Sequence, residues 1–279
     1  MELLDKQHKL ESGIKSLGSV LVAFSGGVDS ALLLAVARSV LGDGVLAVTA
    51  QSPSLPEREL ASAVKFAKLV GAEHLVVNTE EMSVTQYRQN SSDRCYHCKS
   101  ELYGKLQKIA GERKLLRIVN GTNLDDLGDH RPGIGAAREA KVISPLVDAG
   151  FAKQDVRDLA RKLGLPIWDK PAMACLSSRI PYGQPVTEKK LAMIERAEDL
   201  LLSMGFKQLR VRHHGDIARI ELCKEDIARF FANDLAETTQ KKFSQIGFTY
   251  TTVDIAGYKS GRLNEALKKG PAEKDSNHV

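Results

Sequence analysis

The residues with the clearest chemical signal are Ser25-Gly26-Gly27-Val28-Asp29-Ser30. They follow an apolar run that predicts a buried strand and precede a leucine-rich run that predicts a helix. A glycine pair at such a junction lets the backbone turn tightly and approach a ligand, and the N–H groups at the helix start attract an anion. The segment therefore predicts a phosphate cradle, although the lysine of the GxxxxGK[ST] pattern is absent. The alternative is an ordinary glycine turn before a capped helix.

The spacing Ser-Gly-Gly-x-Asp-Ser resembles the pyrophosphate-binding loop of the PP-loop ATP pyrophosphatases. These enzymes cleave ATP between the α and β phosphates and adenylate a carbonyl or carboxylate oxygen. The resemblance implies that Ser25, Gly26, Gly27, Asp29 and Ser30 bind ATP and its pyrophosphate, with Asp29 also catalytic.

A second polar segment, residues 120–126, follows another predicted strand. Its adjacent acids, Asp125 and Asp126, have the chemistry to hold a divalent cation against ATP phosphates, and the alternative is an Asx-type turn. Gly121, like Ser25, falls at the carboxyl end of a predicted strand, where parallel sheets bind their ligands. We therefore expect Gly121 and Asp125 to join the nucleotide site, with Mg²⁺ as a cofactor.

Three of the four cysteines form another candidate site. Cys95 and Cys98 are three positions apart, which lets both thiols bind one metal, and Cys175 lies in a Pro/Gly-rich stretch that predicts a functional loop. Three thiolates without a fourth protein ligand suit a [4Fe–4S] cluster with one open iron, which has room for an extra sulfide. We predict that these cysteines bind such a cluster and that Cys175 is also catalytic.

Two other interpretations of the cysteines stay open. A structural zinc ion would need a fourth ligand, for which the sequence offers His97, His130 and Cys223. The other interpretation is a set of isolated thiols without metal. Four cysteines in 279 residues do not make a disulfide scaffold, so in a reducing compartment they favour metal binding or catalysis.

Arginines in the last third of the chain predict an anion-binding surface. Arg210 and Arg212 alternate along a predicted strand and so share one face, which Arg219 of the next strand is placed to join. Guanidinium groups on one face suit a phosphate or a carboxylate, and the alternative is a set of solvent-facing charges. We predict that Arg179, Arg210 and Arg212 bind the substrate.

Strand-like and helix-like segments alternate through the first two thirds of the chain. Strands are predicted over 45–50, 74–78 and 115–120, and helices near 56–70 and 99–110. This order predicts an α/β fold with a doubly wound parallel sheet, similar to the adenine nucleotide α-hydrolases. Beyond the Pro/Gly-rich loop the order changes to helix, two strands, helix and strand, which predicts a smaller C-terminal α+β domain. The predicted bounds are 187–204 for the first helix, 209–213 and 217–222 for the two strands, 224–245 for further helix segments and 248–255 for the last strand. The predicted divisions are a PP-loop domain over 1–183, a substrate-binding or oligomerisation domain over 184–270 and a polar tail over 271–279.

Composition and charge set the broad class of protein. The 279 residues are 43 % hydrophobic and 27 % charged with a net charge of +5, which is ordinary for a soluble globular protein. No apolar stretch approaches the roughly 20 residues that cross a bilayer, and the first residues lack a secretory core, so the cytoplasm is expected. The mild charge suits a small-molecule nucleotide substrate. We expect no nucleic-acid partner and no membrane.

A resemblance to one family extends over almost the whole sequence. The segments SGGVDS, GTNLDDLGDHRPG, CLSSRIPYG, RVRHHGDIARIEL and GYKSGRLN are similar to those of the LarE family of sulfur transferases. The resemblance implies ATP-dependent adenylation of the carboxylates of pyridinium-3,5-biscarboxylic acid mononucleotide and their conversion to thiocarboxylates in nickel-pincer nucleotide cofactor biosynthesis. It also implies a homo-oligomer.

The family has two branches that differ in the source of sulfur. In one branch a single active-site cysteine surrenders its own sulfur and becomes dehydroalanine. Alignment on the shared Ser-Ser-Arg places that cysteine at Ala174 rather than at Cys175. The departure favours the other branch, in which three cysteines hold a [4Fe–4S] cluster, and the sequence does not identify the sulfide donor.

Two further functions compete with this interpretation. A PP-loop tRNA thiolase with a three-cysteine [4Fe–4S] cluster would use the same thiols, but the chain has no zinc ribbon and no long basic patch with interleaved aromatic residues. An ammonia-dependent amidotransferase, similar to the NAD or GMP synthetases, would leave Cys95, Cys98 and Cys175 without a role.

Overall fold

The computed structural model describes residues 2–128, 132–172, 174–232, 234–259 and 261–264. Two compact units divide the chain: the first comprises Met1–Gln89 and Asp93–Cys175, and the second comprises Asn90–Ser92 and Leu176–Val279. The predicted tail, 271–279, lies outside the described residues, and the predicted domain divisions stay predictions. Within the described residues, no helix is both long and apolar enough to cross a membrane.

The first unit is built on a parallel four-stranded sheet. Its strands are β1 (Val20–Ala23), β2 (Val45–Gln51), β3 (Glu73–Asn78) and β4 (Arg117–Asn120), in the order β3-β2-β1-β4. In the register of the central strand, Val20 faces Val45 on one side and Arg117 on the other. The α/β class predicted from the alternation of segments is confirmed.

Helices cover both faces of this sheet. They are α1 (Leu3–Ser16), α2 (Val28–Leu41), α3 (Glu57–Leu69), α4 (Thr85–Gln89), α5 (Arg94–Glu112), α6 (Pro132–Glu139), α7 (Pro145–Asp148) and α8 (Lys153–Lys162). Val20 and Val22 pack into one core cluster and Leu21 into the other, because successive strand residues point to opposite faces. Full burial of a leucine or valine contributes about 1.5–3 kcal/mol, so both faces stabilise β1 and fix the loop that follows it.

The second unit contains a three-stranded mixed sheet. Its strands are β5 (Leu209–His214), β6 (Ile217–Leu222) and β7 (Tyr250–Val253), with β5 antiparallel and β7 parallel to the central β6. Its helices are α9 (Glu188–Ser203), α10 (Lys224–Phe230) and α11 (Leu235–Ile246). The helix segments expected near 224–245 are two separate helices, α10 and α11. Asp234 adopts a left-handed backbone with φ of 59°, which a continuous right-handed helix does not tolerate.

Candidate functional site

The phosphate loop turns between β1 and α2 at a glycine that no other residue replaces easily. Gly26 has a φ of +73°, in the left-handed region that favours glycine, and a Cβ there would lie 3.0 Å from the Cβ of Ala63. Gly27 caps α2 in an extended conformation. The loop therefore presents backbone rather than side chains at the start of the helix, where N–H groups attract an anion.

Serine hydroxyls tie the loop to the helix. The Oγ atoms of Ser25 and Ser30 are 3.1 Å apart, and Ser30 Oγ donates to the carbonyl oxygen of Gly27 at 3.1 Å. The N–H of Gly27 in turn approaches Ser25 Oγ at 3.4 Å. Because these bonds close on one another, the loop is held in a preformed shape before any ligand binds.

Gly121 lies directly against the start of α2. A Cβ on this glycine would be 2.6 Å from the backbone nitrogen of Ser30 and 2.9 Å from the carbonyl carbon of Asp29. The close approach is possible because β4 ends beside β1 in the sheet. Three of the predicted nucleotide-site residues are thus brought together, and the contact requires glycine.

Asp29 is bonded through both of its carboxylate oxygens. Oδ1 accepts from Asn123 Nδ2 at 3.0 Å, and Oδ2 lies 2.5 Å from Lys153 Nζ. The N–H of Lys153, the first residue of α8, donates to Asp125 Oδ2 at 2.8 Å, and the N–H of Asp125 donates to Asn123 Oδ1 at 3.0 Å. Asn123 therefore forms the Asx turn that competed with the cation-ligand interpretation, and the Asp125 carboxylate accepts an N–H at the start of α8.

A second lysine, Lys170, also contacts the phosphate loop. Lys170 Nζ donates to the carbonyl oxygen of Gly26 at 3.0 Å and to Ser62 Oγ at 3.2 Å, and it lies 2.7 Å from Glu59 Oε2. Sequence reasoning missed Lys153, Lys170, Asn123 and Glu59, because each lies outside the loop motif. The available signal for Lys153 was its place at the start of a helix with a 3.6-residue apolar period, which buries Val156, Leu159 and Ala160.

The three cysteines of the candidate metal site all lie in the first unit. Cys95 and Cys98 are in the first turns of α5, and Cys175 ends the unit. Each is a thiol rather than half of a disulfide. Burial raises the pKa of Cys98 to about 12, with Glu81 contributing in the same direction. Burial alone would lower the pKa of Arg94, but the nearby Cys175 and Cys95 raise it. These influences place Arg94 near both thiols.

The donor set suits a soft metal, but the described side chains do not gather into a finished metal site. Among the residues described, no group of three His, Cys, Asp or Glu side chains is positioned to hold a metal ion. Of the candidates for a fourth zinc ligand, neither His97 nor Cys223 belongs to such a group among the described residues. His97 Nε2 lies 3.3 Å from Asp93, Cys223 is at the start of α10 in the second unit, and His130 is outside the described residues. The thiols themselves are of the kind that iron–sulfur clusters use.

In the second unit, Arg179 makes a buried two-point ion pair. Its Nε and Nη2 lie 2.9 and 3.0 Å from the two carboxylate oxygens of Glu198, and both residues are at most 1 % exposed. Glu198 also accepts the N–H of Val211 at 3.1 Å. Burial alone would raise the pKa of Glu198, but Arg179 lowers it below the ordinary value. Glu198 is therefore an ionised partner of Arg179 rather than a charge on a solvated helix face.

Arg210 and Arg212 are buried, so the solvent-facing interpretation is wrong for both. Arg212 pairs with Glu221 through Nε at 3.1 Å and Nη2 at 2.8 Å, and its Nη1 donates to the carbonyl oxygen of Ser178 at 2.8 Å. The guanidinium carbon of Arg210 lies 5.2 Å from the centre of the Tyr258 ring. Burial and the neighbouring Arg179 lower the pKa of Arg210.

Positive charge outnumbers negative charge in this group. We call it the arginine cluster, and its members are Arg179, Arg210, Arg212, Arg219 and Arg262 with the acids Glu198, Glu221 and Asp254. Glu221 forms ion pairs with Arg212 and Arg219, and Asp254 forms ion pairs with Arg219 and Arg262. Buried charge is costly without a counter-charge. The cluster is therefore suited to an additional anion.

Comparisons with known proteins identify relatives of this chain. No family model matches the chain. An uncharacterized protein of Synechocystis sp. is 45 % identical over 96 % of this chain and 100 % of its own length. The pyridinium-3,5-bisthiocarboxylic acid mononucleotide synthase of Lactiplantibacillus plantarum is 39 % identical over 96 % of each chain. The glutamine-hydrolyzing GMP synthase of Aeropyrum pernix is 28 % identical over 69 % of this chain and 41 % of that enzyme.

The parallel sheet with a glycine loop between β1 and α2, together with the likeness to GMP synthases, defines an α/β protein of the PP-loop type. Within this class, the similarity that runs through nearly the whole chain identifies the family. The chain belongs to the LarE family of pyridinium-3,5-bisthiocarboxylic acid mononucleotide synthases.

Proposed function

We propose that the chain is an ATP-dependent sulfur transferase acting on pyridinium-3,5-biscarboxylic acid mononucleotide. ATP adenylates a substrate carboxylate with release of pyrophosphate, and sulfur then displaces AMP to leave a thiocarboxylate, at both carboxylates in turn. The observation that carries the proposal is the 39 % identity, over 96 % of the chain, to a synthase named for the bisthiocarboxylic acid mononucleotide.

The phosphate loop supplies the groups that adenylation needs. The carboxylate oxygen attacks the α phosphorus, the bond from that phosphorus to the bridging oxygen breaks, and negative charge accumulates on the departing pyrophosphate. Backbone N–H groups at the start of α2 and the hydroxyls of Ser25 and Ser30 stabilise that charge. Asp125 and Asp126 are the proposed ligands of a Mg²⁺ ion that would add positive charge.

Sulfur delivery is assigned to the three cysteines. We propose that Cys95, Cys98 and Cys175 hold a [4Fe–4S] cluster, which supplies sulfide when bound. All three cysteines are thiols, which supports this assignment. Further support comes from the buried Arg94, because Cys175 and Cys95 both raise its pKa. Residues that hold the sulfur source beside the activated carboxylate convert an intermolecular attack into an oriented one.

The sulfur source has its own test. Anaerobic reconstitution with iron and sulfide is expected to give a broad absorbance near ~400 nm, typical of thiolate-bound clusters. Each of Cys95→Ala, Cys98→Ala and Cys175→Ala should remove this absorbance, whereas the matched Cys223→Ala should keep it. Mass spectrometry after turnover separates the two branches of the family. Conversion of Cys175 to dehydroalanine in proportion to product would make the cysteine itself the donor and refute the cluster.

We propose that Arg179, Arg210 and Arg212 bind the acidic mononucleotide. Support comes from the excess of arginine over acid in the arginine cluster and from the burial of these side chains. Guanidinium groups are suited to phosphate and carboxylate because their N–H donors match the paired oxygens of those anions. Low exposure strengthens each charge-assisted bond by excluding water.

The overall activity is tested by product analysis. Purified protein with the biscarboxylic substrate, ATP, Mg²⁺ and a sulfide source should release AMP and pyrophosphate and form a thiocarboxylate detectable by mass spectrometry. Ammonia replaces sulfide in one parallel reaction and tRNA replaces the mononucleotide in another. AMP release that depends on ammonia would instead identify an amidotransferase, and salt-dependent tRNA binding with thiolation would identify a tRNA thiolase.

We also propose that the protein works as a homo-oligomer in the cytoplasm. Light scattering during size-exclusion chromatography should give a multiple of the 30.5 kDa chain mass. A mass equal to one chain under assay conditions would contradict the assembly.

A further inference from the structure

A lysine from outside the phosphate loop forms an ion pair with it, and the loop motif does not predict this contact. Lys153 Nζ lies 2.5 Å from Asp29 Oδ2, and the N–H of Lys153 donates to Asp125 Oδ2 at 2.8 Å. Both aspartates are proposed nucleotide-site residues. One lysine is therefore fixed through its backbone by Asp125 and through its side chain by Asp29.

The ion pair between Lys153 and Asp29 removes a negative charge from the phosphate loop. Asp29 is in the first turn of α2, where a bare carboxylate would repel the phosphates that the helix start attracts. Asn123 and Lys153 occupy its two oxygens. The positive charge of Lys153 cancels the negative charge of Asp29. An anion bound by the N–H groups of the loop is therefore not repelled by the Asp29 carboxylate.

Lys153 and Lys170 differ in how far they are committed to the protein. Lys170 Nζ reaches Gly26, Ser62 and Glu59, and its side chain is 17 % exposed. Among the described residues, Lys153 Nζ bonds only to Asp29, and its side chain is 32 % exposed. An ammonium group has three N–H donors. Lys170 therefore fixes the loop, whereas Lys153 retains donors for a ligand.

We propose that Lys153 is a further pyrophosphate-binding residue, held at the loop by Asp29 and Asp125. The inference rests on the proposed ATP chemistry of this site. As the bond between the α phosphorus and the bridging oxygen breaks, its electron pair stays on that oxygen and leaves with pyrophosphate. Lys153 donates hydrogen bonds to the departing oxygens and keeps its proton, so its contribution is charge stabilisation.

Inorganic pyrophosphate is the probe, and its binding to the full chain is measured by titration calorimetry. Loss of a charge-assisted bond in Lys153→Gln should weaken binding roughly ten- to a hundredfold, and Lys153→Arg should recover most of it. The matched control is Lys162→Gln, at the exposed far end of the same helix, which should bind like the wild type. AMP lacks the β and γ phosphates, so its affinity should change little in Lys153→Gln.

Asn123→Ala distinguishes a ligand from a residue that only holds Asp29 in place. This variant removes the other side-chain bond to Asp29 and keeps Lys153, so it should weaken pyrophosphate binding less than Lys153→Gln does. Equal losses in Asn123→Ala and Lys153→Gln, or wild-type affinity in Lys153→Gln, would overturn the inference. Lys153-dependent pyrophosphate binding in a chain that forms no thiocarboxylate would instead uphold the inference and refute only the proposed substrate chemistry.

Discussion

The phosphate loop and the arginine cluster prepare the protein for anions in different ways. The loop relies on backbone shape: two glycines, Gly26 and Gly121, permit approaches that a Cβ would block at 3.0 and 2.6 Å. The arginine cluster relies on buried side-chain charge, in which Arg179 and Glu198 are both almost fully enclosed. Substitutions that add volume should therefore damage the first region, and substitutions that remove charge should damage the second.

The largest expected effect is on the stability of the arginine cluster. Glu198→Gln removes the anionic partner of Arg179 and leaves a cation enclosed in the protein. Removing one partner of a buried pair typically costs about 3–5 kcal/mol in the free energy of unfolding. Urea denaturation of the variant and the wild type measures the difference. The control is Asp199→Asn, its exposed neighbour, for which a change within about 0.5 kcal/mol is expected. A loss in Glu198→Gln no larger than in the control would show that the enclosed pair does not stabilise this unit.

Ligand binding should also depend on this charge. The double variant Arg210→Ala/Arg212→Ala is expected to bind the biscarboxylic mononucleotide about ten- to a hundredfold less tightly, since each charge-assisted bond contributes about 1.5–3 kcal/mol. Arg210→Gln is a milder variant that leaves the Arg212–Glu221 pair in place. Calorimetric titration gives the affinities, and thermal melting verifies folding. Equal affinity of folded variants and wild type would remove these arginines from the substrate site.

Backbone shape is tested at Gly121. In Gly121→Ala the new methyl group would meet the backbone of Ser30 at 2.6 Å, and backbone does not move aside as a flexible side chain does. Overpacking of this kind costs about 1–3 kcal/mol, and the displaced loop should lose ATP binding. Gly104→Ala, inside α5 with no neighbour within 4 Å of the added methyl, is the matched control. Melting temperature and ATP affinity are measured for both. Wild-type ATP affinity in Gly121→Ala would indicate that the loop tolerates a shift.

Much of the fold could be predicted because its signals are local. An apolar run predicted β2 over 45–50, and proline and glutamates in a first turn predicted α3 over 56–70. Both are close to the observed Val45–Gln51 and Glu57–Leu69. Strand β6 was predicted with its observed bounds, Ile217–Leu222. Helix α5 begins at Arg94, five residues before its expected start at 99, because Cys95 and Cys98 belong to the helix rather than to a preceding loop.

The site could be predicted only where a motif carries it. The glycines and serines of the phosphate loop can be predicted from their spacing between a strand and a helix. Lys153 and Lys170 could not be predicted in this way, because they are 124 and 144 positions away in sequence from the loop residues that they contact. The pairing of Arg179 with Glu198 was equally hidden. A buried glutamate and an exposed one look alike in sequence until the fold places an arginine beside one of them.

The smallest expected effect is a change in stability at acidic pH, which should involve the arginine cluster. Arg179 holds the pKa of Glu198 below its ordinary value of 4.5, so folding is stabilised by the ionised carboxylate above that value. This contribution is lost as the pH falls through the lower pKa of the folded state. The stability difference between wild type and Glu198→Gln should therefore be constant near neutral pH and shrink below about pH 4.5. Denaturation of both proteins from pH 7 to pH 3 measures it. Asp43→Asn, which removes a fully exposed partner of Arg38, should show no such trend, because solvent screens that pair. A difference that stays constant into acid would mean that Glu198 has the same pKa in the folded and the unfolded protein, and that Arg179 does not lower it.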